Sequence, residues 1–467
     1  MRESNSHSST SGKSCLLKVL LALALLGGVS ILIVAIIFSR WKNSVAQELE
    51  AYKQDARAQG YPVTLEELNA WYPAVPDAEN AALLYEEAFA SMQETDPDGK
   101  QLEASWDQRD AQLTVSGHTP DLTIEFRYVG SQAQALAKLE AASHMKDARF
   151  PVDYTQGLDA NRDYLPFFRA SVHLLILSAD QALAQGDTEK AANRYIQLLA
   201  IARAGGAEPR VDAQLMRMVV DRLALDEIER ALSHTVFSAF ELAALDAAWA
   251  DAHRPDALAR SCAGERCIMT GTLDALLNGN LQSDSPEYKV VQFTDAKIPK
   301  SFARVKAFAR PYINYEELII YRGLADAIPE GEPDWPALCA TPPLNRVTAN
   351  SRAPFAGELL PALAYAYGSF VIDETIHSIA RTSLAIERYR VDHGAFPETL
   401  EACVPEYVPA AVILDPYNGE PLKYRPEEET GFKVYSVFEN LVDDGGEHWE
   451  KQGPDSFSGD WVFTVTR

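Results

Sequence analysis

Between Val19 and Phe38 the chain reads VLLALALLGGVSILIVAIIF, an unbroken run of apolar and small residues bounded by Lys18 on one side and by Arg40, Trp41 and Lys42 on the other. At about 1.5 Å of rise per residue this segment makes a helix of roughly 30 Å, the thickness of a bilayer's hydrocarbon core, and Trp41 suits its interface. A cleavable signal peptide is the competing reading, because Ser44-Val45-Ala46 resembles a small-residue cleavage site. The run is longer than the roughly 7–15 residues of a signal core, and two cations separate it from that site. The sequence therefore predicts a transmembrane helix over 19–38 that stays attached. Arg2, Lys13 and Lys18 before the span are matched by Arg40, Lys42, Lys53 and Arg57 after it, so cation bias does not orient it. The polar tail 1–18 is short enough to remain cytoplasmic, and the expectation is that the bulk of the chain is exported.

Most of the remaining chain has the composition of a folded protein, with 47% hydrophobic and 23% charged residues. A length of 467 residues implies two or three domains. The 42 basic residues are outnumbered by 67 acidic ones, for a formal charge of −25. Such a surface repels phosphate backbones, which excludes a general nucleic-acid binder.

Helical signals dominate the region 43–354. Residues 43–58 read as a stalk, and Thr64 with Glu67 forms a capping-box pattern before Pro73 and Pro76 interrupt. The segments AQLTV and DLTIEFRYV, within 110–128, alternate and carry β-branched residues, and are the early strand candidates. From Leu165 to about Ala252 three long apolar-periodic segments predict antiparallel helices. One of them, GDTEKAANRYIQLLAIA, is similar to half of a tetratricopeptide hairpin, but no second copy follows at a period near 34 residues, so an irregular helical bundle is expected. Cys262 and Cys267, in SCAGERC, are spaced for either a small disulfide loop or two buried thiols, and not for a zinc ribbon. In an exported region Cys339 and Cys403 meet the same oxidising conditions. The segment 297–310 breaks the chain's acidity with Lys297, Lys300, Arg304, Lys306 and Arg310, either to touch an anionic surface or to pair with carboxylates elsewhere in the fold. A Pro-rich stretch from Ile328 to Pro354 reads as a connector leading to a boundary near 355.

No nucleophile elbow, zincin motif, P-loop or dinucleotide-binding turn occurs in the chain. That weighs against an enzyme. Glu374 and His377 make an E-x-x-H pair on one helical face, half of what a di-iron site requires, and without a second half they read as structural residues. An exported hydrolase with a site assembled in the helical region is the alternative.

At the C-terminal end, SFVIDETIHSIARTSLAIERYR predicts an amphipathic helix stopped by Gly394 and Pro397. Turns at Asp415-Pro416 and Asn418-Gly419, a strand through Phe432, Val434 and Tyr435, an acidic glycine turn and a last strand in DWVFTV follow. The ordered motifs AIERYRVDHGAFPETL, DPYNGEPLKY, VYS and the acidic turn resemble the globular head of the major pseudopilin of type II secretion systems, over about residues 369–467. The resemblance implies a long helix packed on a small antiparallel sheet, and a calcium-binding acidic loop whose ligands here would be Asp443, Asp444, Asp455 and Asp460. Calcium takes six to eight oxygens, so such carboxylates are chemically suitable, although a solvated acidic turn is the plainer alternative. Pseudopilins join their apolar helix directly to the head, whereas here some 330 residues intervene, which argues against a filament subunit. The overall plan also resembles large bacterial envelope proteins of the planctomycete type. Together these imply a mainly α protein with a C-terminal α+β domain over 355–467. It would be held by a single span in a bacterial inner membrane, facing the periplasm, and would act without catalysis on envelope or secretion-system partners.

Overall fold

The computed structural model describes residues 9–113, 123–278, 306–325, 327–328, 333–340, 353–427, 431–453 and 456–467. The described residues are mainly helical, with a three-stranded antiparallel sheet and a separate two-stranded one formed by the last part of the chain. In chain order the helices are α1 (Ser9–Ala58), α2 (Leu65–Trp71), α3 (Ala81–Thr95), α4 (Lys100–Leu113), α5 (Thr123–Ser131), α6 (Ala133–Ser143), α7 (Leu165–Ala184), α8 (Thr188–Gly205), α9 (Val211–His234), α10 (Ala239–Ala252), α11 (Ala257–Asn278), α12 (Lys306–Ala325), α13 (Trp335–Ala340) and α14 (Pro354–His393). The strands are β1 (Lys423–Glu427), β2 (Gly431–Ser436), β3 (Glu450–Gly453), β4 (Ser456–Ser458) and β5 (Trp461–Thr466).

Helix α1 carries two surfaces in one continuous rod. From Leu20 to Phe38 its large apolar side chains are exposed, whereas Val45, Leu49 and Ala56 are buried against Leu318 and Tyr321 of α12. Lys53 pairs with Glu317 at 2.7 Å, and the Trp41 and Tyr315 rings lie 6.0 Å apart. The apolar half is long and hydrophobic enough to cross a membrane, as an anchor or as a signal sequence. Helix α14 passes the same test of length and composition, yet 47% of its apolar window is buried inside the protein, as befits a core helix.

The expected helices of the middle region are present, and their ends follow local chemistry. Thr64 caps α2 by accepting from the Glu67 N–H at 3.1 Å, while the Glu67 carboxylate accepts from Val63 rather than from the cap itself. Ser238 and Glu241 form a complete capping box on α10. Where they are described, the early strand candidates are helical: α4 runs to Leu113 and α5 begins at Thr123, with 114–122 outside the described residues. Glu125, Tyr128, Val129 and Gln132 are buried at helical spacing, so the stripe that packs near α4 and α7 overrides the β-branched composition. Cys262 and Cys267 lie within α11 as free buried thiols. Five residues along a helix rotate a side chain by about 140°, which points the two sulfurs apart and forbids a local disulfide. Burial pushes both thiols up to about 12.

One buried apolar core extends from Leu68 in α2 to Val465 in β5, so residues on both sides of 355 share it. Helices α7, α8 and α9 pack in sequence, α10 lies against α8, and α14 packs on α9, α10 and α12. Gly394, at φ 76°, ends α14 in the left-handed region where glycine is favoured. The sheet is ordered β1-β2-β5, with Val434 opposite Tyr424 on one side and Phe463 on the other. Hydrogen bonds and ion pairs at the end of β5 bind it to α9 and α14. The Thr464 N–H donates to Glu229 of α9 at 2.7 Å, and Arg467 pairs with the buried Glu387 of α14 at 3.0 Å.

Candidate functional site

A buried polar cluster lies where α9, α10 and α14 meet. On α9, Arg217 and Asp221 are four residues apart and share a face; on α14, Asp373 and His377 do the same, with Glu374 beside them. Arg217 is fully buried and donates to Gln214 Oε1 (2.9 Å), Asp221 Oδ2 (2.6 Å) and Asp373 Oδ2 (2.5 Å). The second oxygens of Asp221 and Asp373 have no hydrogen-bond partner, and His377, 3% exposed, leaves Nδ1 unbonded while its Nε2 lies 3.5 Å from Asp221 Oδ2. His377 stands edge-on to Trp249 and 4.9 Å from the His253 ring. His253, at the end of α10, meets Glu374 at 2.9 Å.

The electrostatics follow from that packing. Burial pushes the Asp373 carboxyl up, with the Asp221 charge adding to it, against the pull of Arg217. Burial also opposes ionisation of Asp221, but His377 and Arg217 outweigh it and hold that carboxyl low. Burial would lower His253, and the Glu374 carboxylate more than offsets it, so His253 is raised; the same contact lowers Glu374 against its own burial. Neighbouring carboxyls thus take opposite shifts, an arrangement common at functional sites. Beside the cluster is a cavity of about 320 Å³ lined by His253, Glu374, His377, Arg381, Trp335 and Val412, among others. The E-x-x-H pair of the sequence therefore does not act alone. Asp373 extends it by one residue and α9 supplies Asp221 and Arg217, partners some 150 residues away in sequence that no local pattern connects to it.

The acidic residues expected to bind calcium fall at a second place. Asp443, Asp444 and Asp460 are gathered around the glycine turn, and Asp455 lies outside the described residues. Asp460 accepts from the Asp444 N–H (3.3 Å) and the Gly446 N–H (2.7 Å); Asp444 accepts from Asn440 (2.7 Å) and the Gly459 N–H (2.8 Å). Asp443 accepts from the Tyr435 hydroxyl and the Gly445 N–H. These carboxylates hold the turn's own backbone, and burial raises Asp460. In the basic segment 297–310, residues 297–305 are outside the described residues, while Arg310 pairs with Asp274 and lies 3.7 Å from Glu317.

No protein-family model matches the chain, and neither the curated proteins nor the solved structures include a significant match.

Proposed function

We propose that this chain is a single-pass, membrane-anchored envelope protein that serves as a non-enzymatic interaction or scaffold component, related to type II secretion or pilus-like machinery. The observation that carries the anchoring is α1 itself: the exposed apolar stretch runs without a break into residues clamped on α12, through Val45, Leu49 and Lys53. The candidate cleavage site at Ser44-Val45-Ala46 lies inside this helix, with Val45 packed against α12. The relation to a pilus-like head rests on the ordered C-terminal motifs, and it is supported by a long helix ending at Gly394 and packed on a three-stranded antiparallel sheet. Calcium at the turn of Asp443, Asp444 and Asp460 belongs to the same proposal.

Crosslinking in native membranes, followed by identification of the captured proteins, tests it. The expected result is recovery of secretion-system or pilus-like components by an intact chain that resists alkaline extraction. Recovery of none, or a mature chain beginning after Ala46, would overturn it. A second reading, an exported hydrolase or other enzyme, is favoured by the cavity beside His253, Glu374 and His377.

A further inference from the structure

We infer that Asp221, Asp373 and His377 form a binding site for one divalent transition-metal ion between α9 and α14. One ligand atom from each of the three lies within 4.8 Å of the other two. Bonds of about 2.0–2.2 Å place ligand atoms roughly 3–4 Å apart around an ion, so small side-chain rotations close the triangle. A buried carboxylate pair is not a site by its proximity alone. The second observation is His377, buried with Nδ1 unbonded and Nε2 only at 3.5 Å from Asp221 Oδ2, beside two carboxylates that each keep one unpartnered oxygen. Buried polar atoms of this kind are costly when left without a partner, and several in one place point to a missing one.

The charge balance agrees. Asp221 and Asp373 share a single guanidinium, that of Arg217, while Glu374 faces His253. Arg217 engages Oδ2 of each aspartate and leaves Oδ1 of each unpartnered, so it does not compete for every ligand atom. One imidazole with two carboxylates suits zinc, manganese or ferrous iron, whereas calcium prefers six to eight oxygens. Because His377 also lines the 320 Å³ cavity, the ion would keep positions open on that side for water or a small anionic ligand. The site is independent of the acidic turn at Asp443 and Asp444 and goes beyond the scaffold role.

The test uses the full chain purified in detergent, stripped with a chelator and titrated calorimetrically with zinc sulfate. The expected result is one zinc ion per chain and a Tm that rises with zinc concentration. His377→Gln and Asp221→Asn each weaken that binding by more than about 100-fold, and Asp443→Ala with Asp444→Ala leaves it intact. Absence of stoichiometric binding, or binding lost with the Asp443 and Asp444 pair instead, overturns the inference. Should the variants not fold, X-ray absorption of the zinc-loaded natural chain decides: a nitrogen and oxygen shell containing one imidazole upholds the site, and a sulfur shell or one without imidazole overturns it.

Discussion

Glu208 is fully buried, and the hydroxyls of Tyr72, Tyr154 and Tyr164 all donate to its carboxylate, the first and last at 2.8 Å. Tyr72 also accepts from the Phe150 N–H at 2.9 Å, which joins the segment after α6 to α2. Burial pushes the Glu208 carboxyl up and the three hydrogen bonds pull it back. Hydrogen bonds to a charged group in such a setting are worth roughly 1.5–3 kcal/mol. Tyr164→Phe removes one donor without leaving a buried group empty, and is expected to lower stability by about that amount in urea unfolding followed by circular dichroism. Nothing local in the sequence indicates this cluster: Tyr72 follows α2, Tyr154 and Tyr164 lie between α6 and α7, and Glu208 is in the loop after α8.

At the scale of elements, close approach decides more than propensity. A Cβ on Gly264 of α11 would stand 1.6 Å from the Pro209 carbonyl oxygen, a backbone atom that cannot swing aside. Gly264→Ala is expected to destabilise the chain by about 3 kcal/mol or more, read as a lowered Tm, even though alanine is the better helix former. Between α9 and β5, Glu229 accepts from the Thr464 N–H, and burial raises its carboxyl to about 7. A carboxyl raised in the folded state favours folding while protonated, so its contribution is full below the unfolded value near 4.5 and is lost as pH rises through about 7. Thermal unfolding at pH 5 and pH 8 should show a smaller difference in Tm for Glu229→Gln than for the natural chain; an equal difference would contradict the assignment.

On the scale of the molecule, the same core encloses the helical region and the sheet, with α14 as the element common to both. Calcium binding at the acidic turn would therefore stabilise the whole chain, because a ligand that binds only the folded state raises its apparent stability. In detergent, millimolar calcium is expected to raise the Tm of the natural chain and to leave that of the Asp443→Ala, Asp444→Ala variant unchanged. An identical response in both would remove calcium from the turn.

What the sequence by itself determined was whatever depends on neighbours along the chain. The uncharged run 19–38, the helices between Leu165 and Ala252, the glycine stop at 394 and the final strand all rest on spacing, caps and turn chemistry. The tertiary structure alone decided the rest. It turned TIEFRYV to helix because its buried stripe recurs every three to four residues, and it separated Cys262 from Cys267 by winding both into α11. It also supplied His377 with Asp221 and Arg217 across a helix interface. The pairing of groups 150 residues apart is set by how apolar faces pack, and that information is spread over the whole core.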